Sequence, residues 1–178
     1  ARQREEERAQ ASQASQPQPF APASPMQQAS KVEKMLIETV IRHGGEVILP
    51  DVEDETSGQH FDLNVAQYIA YDLAQDQLAF SDPLYTRILA EAVEQSEKGP
   101  FDAGKYFRHH PDIEIQTLAA SMSTDAYQLS ESLQMKESVE RLRDTVVHLV
   151  MDFRLDYIEH QLKVLQDRLK KALAIGIS

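Results

Sequence analysis

From residue 30 onward, apolar side chains return every third or fourth position along most of this chain, the spacing of helices that bury one face. Ser30 and Glu33 fit a capping box, in which each side chain satisfies a free amide at a helix start. Val32, Met35, Leu36, Thr39 and Val40 then mark the inner face of a first helix, and Gly44-Gly45 ends it. Glu46–Leu49 reads as extended. Across the acidic loop Asp51–Gly58 it faces Gln59–Leu63, so residues 46–63 allow a small β-hairpin. A second helix is expected over Leu63–Ala74 with Val65, Tyr68, Ile69 and Leu73 inward. A third opens at Asp82-Pro83, where Asp caps and Pro occupies a position whose missing N–H costs nothing. Its stripe is Leu84, Ile88, Leu89, Ala92 and Val93, and Gly99 ends it. Short helices follow over Ala103–His109, Asp112–Met122 (with Ile115, Leu118, Ala119 and Met122 inward) and Tyr127–Leu133.

The last element carries two apolar stripes. From Glu137 to Ala174 there is no Pro or Gly, which predicts a helix of roughly 55 Å at the α-helical rise. Val139, Leu142, Val146, Leu149 and Phe153 form one series. Leu155, Ile158, Leu162, Leu165, Leu169 and Ala172 form a second, offset by two residues, which turns the apolar face by about 200°. The first half therefore packs on the preceding bundle and the second half on something that no later segment of this chain supplies.

The pattern fails before residue 30. From Ala11 the chain runs through Gln, Ser, Ala and Pro, with Pro17, Pro19, Pro22 and Pro25 close together, a composition too poor in apolar groups to offset its ordering entropy. Residues 1–29 are expected to be a disordered tether, 30–136 a helical bundle, and 137–178 the long helix. The fold class is all-α. With no Met at position 1, the chain reads as a fragment of a longer protein. The whole net charge of −11 falls after the tether and disfavours direct binding to nucleic acid. Absence of Cys excludes disulfides, thiolate catalysis and Cys-ligated zinc. No apolar run approaches the roughly 20 residues of a membrane span, and no signal peptide opens the chain; a cytoplasmic location is expected.

The ordered series Val65-Ala66-Gln67-Tyr68-Ile69, Leu73, Leu78, Phe80, Pro83-Leu84 and Ile88 resembles part of a known family. It continues through Tyr106-Phe107, His110-Pro111-Asp112, Ile115, Leu118-Ala119-Ala120 and Tyr127-Gln128-Leu129-Ser130. Over residues 31–174 the chain resembles the carboxy-terminal helicase-binding domain of bacterial DNA primase. The resemblance implies a helical bundle, a long helix and a terminal helical hairpin that docks on the replicative helicase. It implies no catalysis and no cofactor here, the polymerase residues lying upstream. Family members carry a second hairpin limb, for which this chain has no counterpart. The partner-facing residues are expected to be Leu155, Ile158, Leu162, Leu165, Arg168, Leu169 and Leu173. This stripe reads equally as a seam with another helix of the same protein and as a surface for a groove on the helicase. It also predicts self-association of the isolated fragment through Leu155–Leu173.

Other constellations have plainer explanations. His110-Pro111-Asp112 resembles the His-Pro-Asp loop of J-domain co-chaperones, which leaves a co-chaperone or a self-assembling scaffold as the alternative, but it also reads as a helix start. His148, Asp152, Asp156 and His160 step by four, yet the outer two stand roughly 18 Å apart along the axis and cannot share one ion. Asp51, Glu53, Asp54 and Glu55 lack the spacing of a calcium loop. No metal site is expected.

Overall fold

The structure, a computed structural model, describes residues 29–123 and 138–176. The expected tether up to residue 28 and the expected helix Tyr127–Leu133 lie outside the described residues. The described chain is mostly helical, with six helices and one hairpin: α1 (Lys31–His43), β1 (Val47–Glu53), β2 (His60–Asn64), α2 (Val65–Gln75), α3 (Pro83–Lys98), α4 (Ala103–Arg108), α5 (Ile113–Ser123) and α6 (Ser138–Gly176).

α1 is the axis of the bundle and touches all five other helices. Its capping box forms as expected: Ser30 Oγ accepts from the Glu33 amide at 3.2 Å, and Glu33 Oε2 accepts from the Ser30 amide at 2.9 Å. The buried face is wider than a single stripe. Leu36, Ile37, Val40 and Ile41 are fully buried, whereas Met35 is 41% exposed and Thr39 turns back to bond the Met35 carbonyl at 2.8 Å. A central helix is covered on both flanks, so Ile37 and Ile41 take the places expected of Met35 and Thr39.

Gly44 and Gly45 follow α1 without a left-handed turn, since Gly44 has φ −53°. The reason for glycine at position 45 is space: a Cβ there would stand 2.0 Å from the Phe101 carbonyl oxygen. The hairpin is antiparallel, pairing Val47 with Asn64, Leu49 with Leu63, Val52 with Phe61 and Glu53 with His60. Two irregularities interrupt it, and Asp51 adopts φ 56° there. Strand β1 runs to Glu53, so Asp51, Val52 and Glu53 belong to it and the loop proper is Asp54–Gln59. Ile48 points into the core.

α2 starts on a second capping box, Asn64 with Gln67, at 2.9 and 3.1 Å. Asp82 caps α3 through the Leu84 amide at 2.9 Å, with Pro83 in the first turn. The core gathers Val65, Ala66, Ile69 and Leu73 of α2, Tyr85, Ile88, Leu89 and Ala92 of α3, Phe107 of α4, and Ile115 and Ala119 of α5. Burying such side chains supplies the main stabilisation of the bundle, roughly 1.5–3 kcal/mol for each large one.

α6 is one unbroken helix of 39 residues, about 58 Å long. Val146, Leu149, Val150 and Phe153 sink into the core, and Phe153 meets Phe80 edge-on at 5.6 Å. Leu142 packs against that core, while Val139 at the start is 41% exposed. Beyond Phe153 no residue of α6 is buried.

Candidate protein-docking surface

The stretch of α6 after Phe153 runs on for 23 residues, about 35 Å, as a helix projecting from the bundle. Its two sides differ. At 100° per residue, Phe153, Tyr157, His160 and Val164 continue the side that enters the core. Phe153, Tyr157 and His160 border an open groove of about 450 Å³ shared with Ser30, Glu33 and Ser81. The opposite side carries Leu155, Ile158, Leu162, Leu165, Leu169 and Leu173, each between 53% and 61% exposed. These are the leucines and isoleucine expected to face a partner, and the helix aligns them in one row. Arg168 is exposed on the edge of that row.

The row begins one step earlier than expected. Met151, 56% exposed, lies four residues before Leu155 on the same side, at the level where α6 is still packed on the bundle. Its spacing was the available signal. None of the seven belongs to the core or packs against it. Seven large apolar side chains in one exposed line exceed the scattered apolar residues of an ordinary surface, which makes the row the candidate docking surface.

An ion cluster anchors the root of the projecting helix. Arg154 Nη2 lies 2.8 Å from Asp76 Oδ2 and 3.1 Å from Asp72 Oδ2, and donates to the Asp72 carbonyl at 3.3 Å. One guanidinium thus holds the last turn of α2 against α6 where α6 leaves the core. The contact to Asp72 is ionic and ill-aligned, for Asp72 Oδ2 and Arg154 Nε make no hydrogen bond among the described residues.

The cluster around His110 is built differently. His110 is 7% exposed and stacks on Phe107, with Tyr106 edge-on. Its Nδ1 accepts from the Asp112 amide at 3.0 Å, which leaves Nε2–H to donate to Glu91 Oε2 at 2.6 Å. Asp112 Oδ1 accepts from the Glu114 amide at 2.9 Å and so caps α5. Arg87 spans Glu91 and Asp112. The Arg87 guanidinium, helped by the Glu114 amide, holds the Asp112 carboxyl below its ordinary range, and burial followed by the nearby Glu91 charge pushes the Tyr106 phenol up. Every polar atom named here serves the turn between α4 and α5, which favours the helix-start reading of His110-Pro111-Asp112.

His148, Asp152, Asp156 and His160 are all exposed, the last two at the groove beside the bundle, and among the described residues no group of three or more His, Asp or Glu could hold a metal ion. Among the same residues no helix is long and apolar enough to cross a membrane.

A domain family described as DUF8430, a domain of unknown function, matches residues 19–175. The chain belongs to that family. The match takes in every described element from α1 to all but the last residue of α6, so the family's domain includes the exposed row as well as the bundle. No curated protein and no solved structure matches the chain.

Proposed function

We propose that this chain is a non-catalytic docking domain of a bacterial DNA primase, binding the amino-terminal domain of the replicative helicase and thereby recruiting primase to the replication fork. The observation that carries the reading is the exposed row Met151–Leu173 on a helix projecting from a helical bundle. Helix-in-groove recognition uses such a surface, with anchors at i, i+3, i+4 and i+7. The ordered series of residues that resembles primase supports the same reading. Much of that series, including Val65, Ala66, Ile69, Leu73, Ile88, Phe107, Ile115 and Ala119, forms the core of this chain.

The domain would contribute contact and placement, with the polymerase chemistry carried upstream in the parent protein. Leu155, Ile158, Leu162, Leu165, Leu169 and Leu173 would supply the apolar contact and Arg168 a charge at its rim. The test is light scattering of the chain mixed with the amino-terminal domain of the replicative helicase. A co-eluting complex that Leu162→Asp and Leu169→Asp abolish is the expected result. Failure of the parent primase, with its own carboxy terminus, to bind helicase would overturn the reading.

A further inference from the structure

The groove on the inner side of α6 begins where the described chain begins. Ser30, Glu33 and Ser81, joined by hydrogen bonds, close it against the bundle. From Phe153, Tyr157, His160 and Gln161 carry its wall about 12 Å outward along α6. Ala79 and the rings of Phe153 and Tyr157 line it with apolar surface. Ala29, the first described residue, is half-buried against the core, so the chain reaches the bundle at this groove. The ten residues before it, 19–28, carry a threefold pattern. Pro19, Pro22 and Pro25 recur every third position, as do Phe20, Ala23 and Met26, and as do Ala21, Ser24 and Gln27. A polyproline II strand turns once in three residues, so the three sets would form a proline edge, an apolar edge and a mostly polar edge. No residue from 11 to 28 is charged, so none would lose a charge's hydration against an aromatic wall. The family match begins at residue 19 and takes in the whole pattern.

We propose that residues 19–28 of the same chain dock in this groove as a polyproline II strand, with Met26 seated against the Tyr157 ring. Met26 lies four residues before Ser30, about 12 Å at the polyproline rise, which matches the length of the groove. Alone, the segment has nothing to bury its apolar edge against; the groove supplies the other wall. Proline-rich segments dock in aromatic-lined grooves in this conformation because their fixed φ leaves little backbone entropy to lose. The carbonyls of such a strand have no partner within it, and the Tyr157 hydroxyl and the Gln161 amide at the rim offer donors. Docked there, the segment extends the bundle along α6 and braces the root of the projecting helix. The exposed leucine row lies on the opposite side of α6 and takes no part. The docking does not rest on the helicase reading.

Methyl-labelled methionine NMR of the 178-residue chain tests the docking without disturbing it. The chain has five Met, and Met26→Leu identifies the Met26 methyl by its disappearance. The expected signal is displaced from its position in the urea-unfolded chain by the Tyr157 ring, with a cross-peak to that ring. Tyr157→Leu, at a side chain 38% exposed, should remove the cross-peak and return the methyl toward the unfolded position while the signals of the core stay in place. A Met26 methyl at the unfolded position in the native chain, with no ring cross-peak, would overturn the docking. So would a displaced methyl that Tyr157→Leu leaves unmoved, since the segment would then sit elsewhere. A cross-peak found only between differently labelled chains in a mixed sample would overturn seating within one chain.

Discussion

Glu33 holds Ser81 twice, accepting from its amide at 2.5 Å and from its hydroxyl at 2.6 Å, 48 residues along the chain. The same carboxylate caps α1 through the Ser30 amide. It is 4% exposed, and these three donors satisfy both of its carboxylate oxygens. Glu33→Ala would leave the Ser30 and Ser81 amides short of an acceptor and remove a cap. A loss on the order of 2–4 kcal/mol is expected, read from the urea midpoint. Glu33→Gln, which retains an acceptor oxygen, should lose less. Equal losses in the two variants would contradict the account.

Gly45 faces a different constraint. The Phe101 carbonyl occupies the place of its missing Cβ, so Gly45→Ala must push apart the end of α1 and the segment before α4. Destabilisation of about 2 kcal/mol or more is expected. Gly58, at the hairpin turn with φ 64° and open space around it, gives a contrast: Gly58→Asn should cost little, since Asn tolerates the left-handed region. Thermal melts of both variants check the pair.

Asp112 links acid sensitivity to the α4–α5 turn. Arg87, first, and the Glu114 amide hold its folded carboxyl below the ordinary 3.8. A depressed folded value means that its stabilisation is complete above the unfolded value and is lost as the pH falls through the folded one. Asp112→Asn keeps the cap and drops the charge. The stability gap between wild type and this variant should therefore hold steady near neutrality and shrink below pH 3.8. A gap that widens on acidification would refute the assignment.

Arg154 predicts a local effect. Arg154→Met should leave Asp72 and Asp76 facing each other at the end of α2, costing roughly 1–3 kcal/mol. Hydrogen exchange should quicken in the last turn of α2 and the neighbouring turn of α6 and stay slow in α1. Unchanged exchange at residues 72–76 would show that the ion cluster does not hold the root.

Much of this fold was legible because its signals are local. The caps at Ser30 and Asp82 and the second face of α6 depend on residues a few positions apart, and each appears where the spacing placed it. The Asn64–Gln67 box was equally local but sat where a hairpin and a helix compete for the same residues. What could not be read depends on distant neighbours. α1 is central, so its face widened to Ile37 and Ile41. Glu33 looked like half of a capping box until the chain returned with Ser81. Gly45 resembled a helix stop, and only the path of Phe101 explains it. At the candidate surface the row from Leu155 to Leu173 was clear, whereas Met151 was missed because it lies beside residues of the buried series. The Arg154 cluster needed the adjacency of α2 and α6, which no spacing reveals.

The unbroken hydrogen bonding of α6 sets a compass bearing as well as a distance. Leu173 stands about 30 Å beyond Phe153, and its azimuth about the helix axis is fixed by the number of residues between them. Removing two residues between Asp156 and Gln161 would swing everything beyond through about 200° and carry the leucines around to the side of the bundle. Removing four would turn them by only about 40° and draw them some 6 Å closer. A partner that meets both the bundle and the far leucines therefore senses the phase of this helix more sharply than its length.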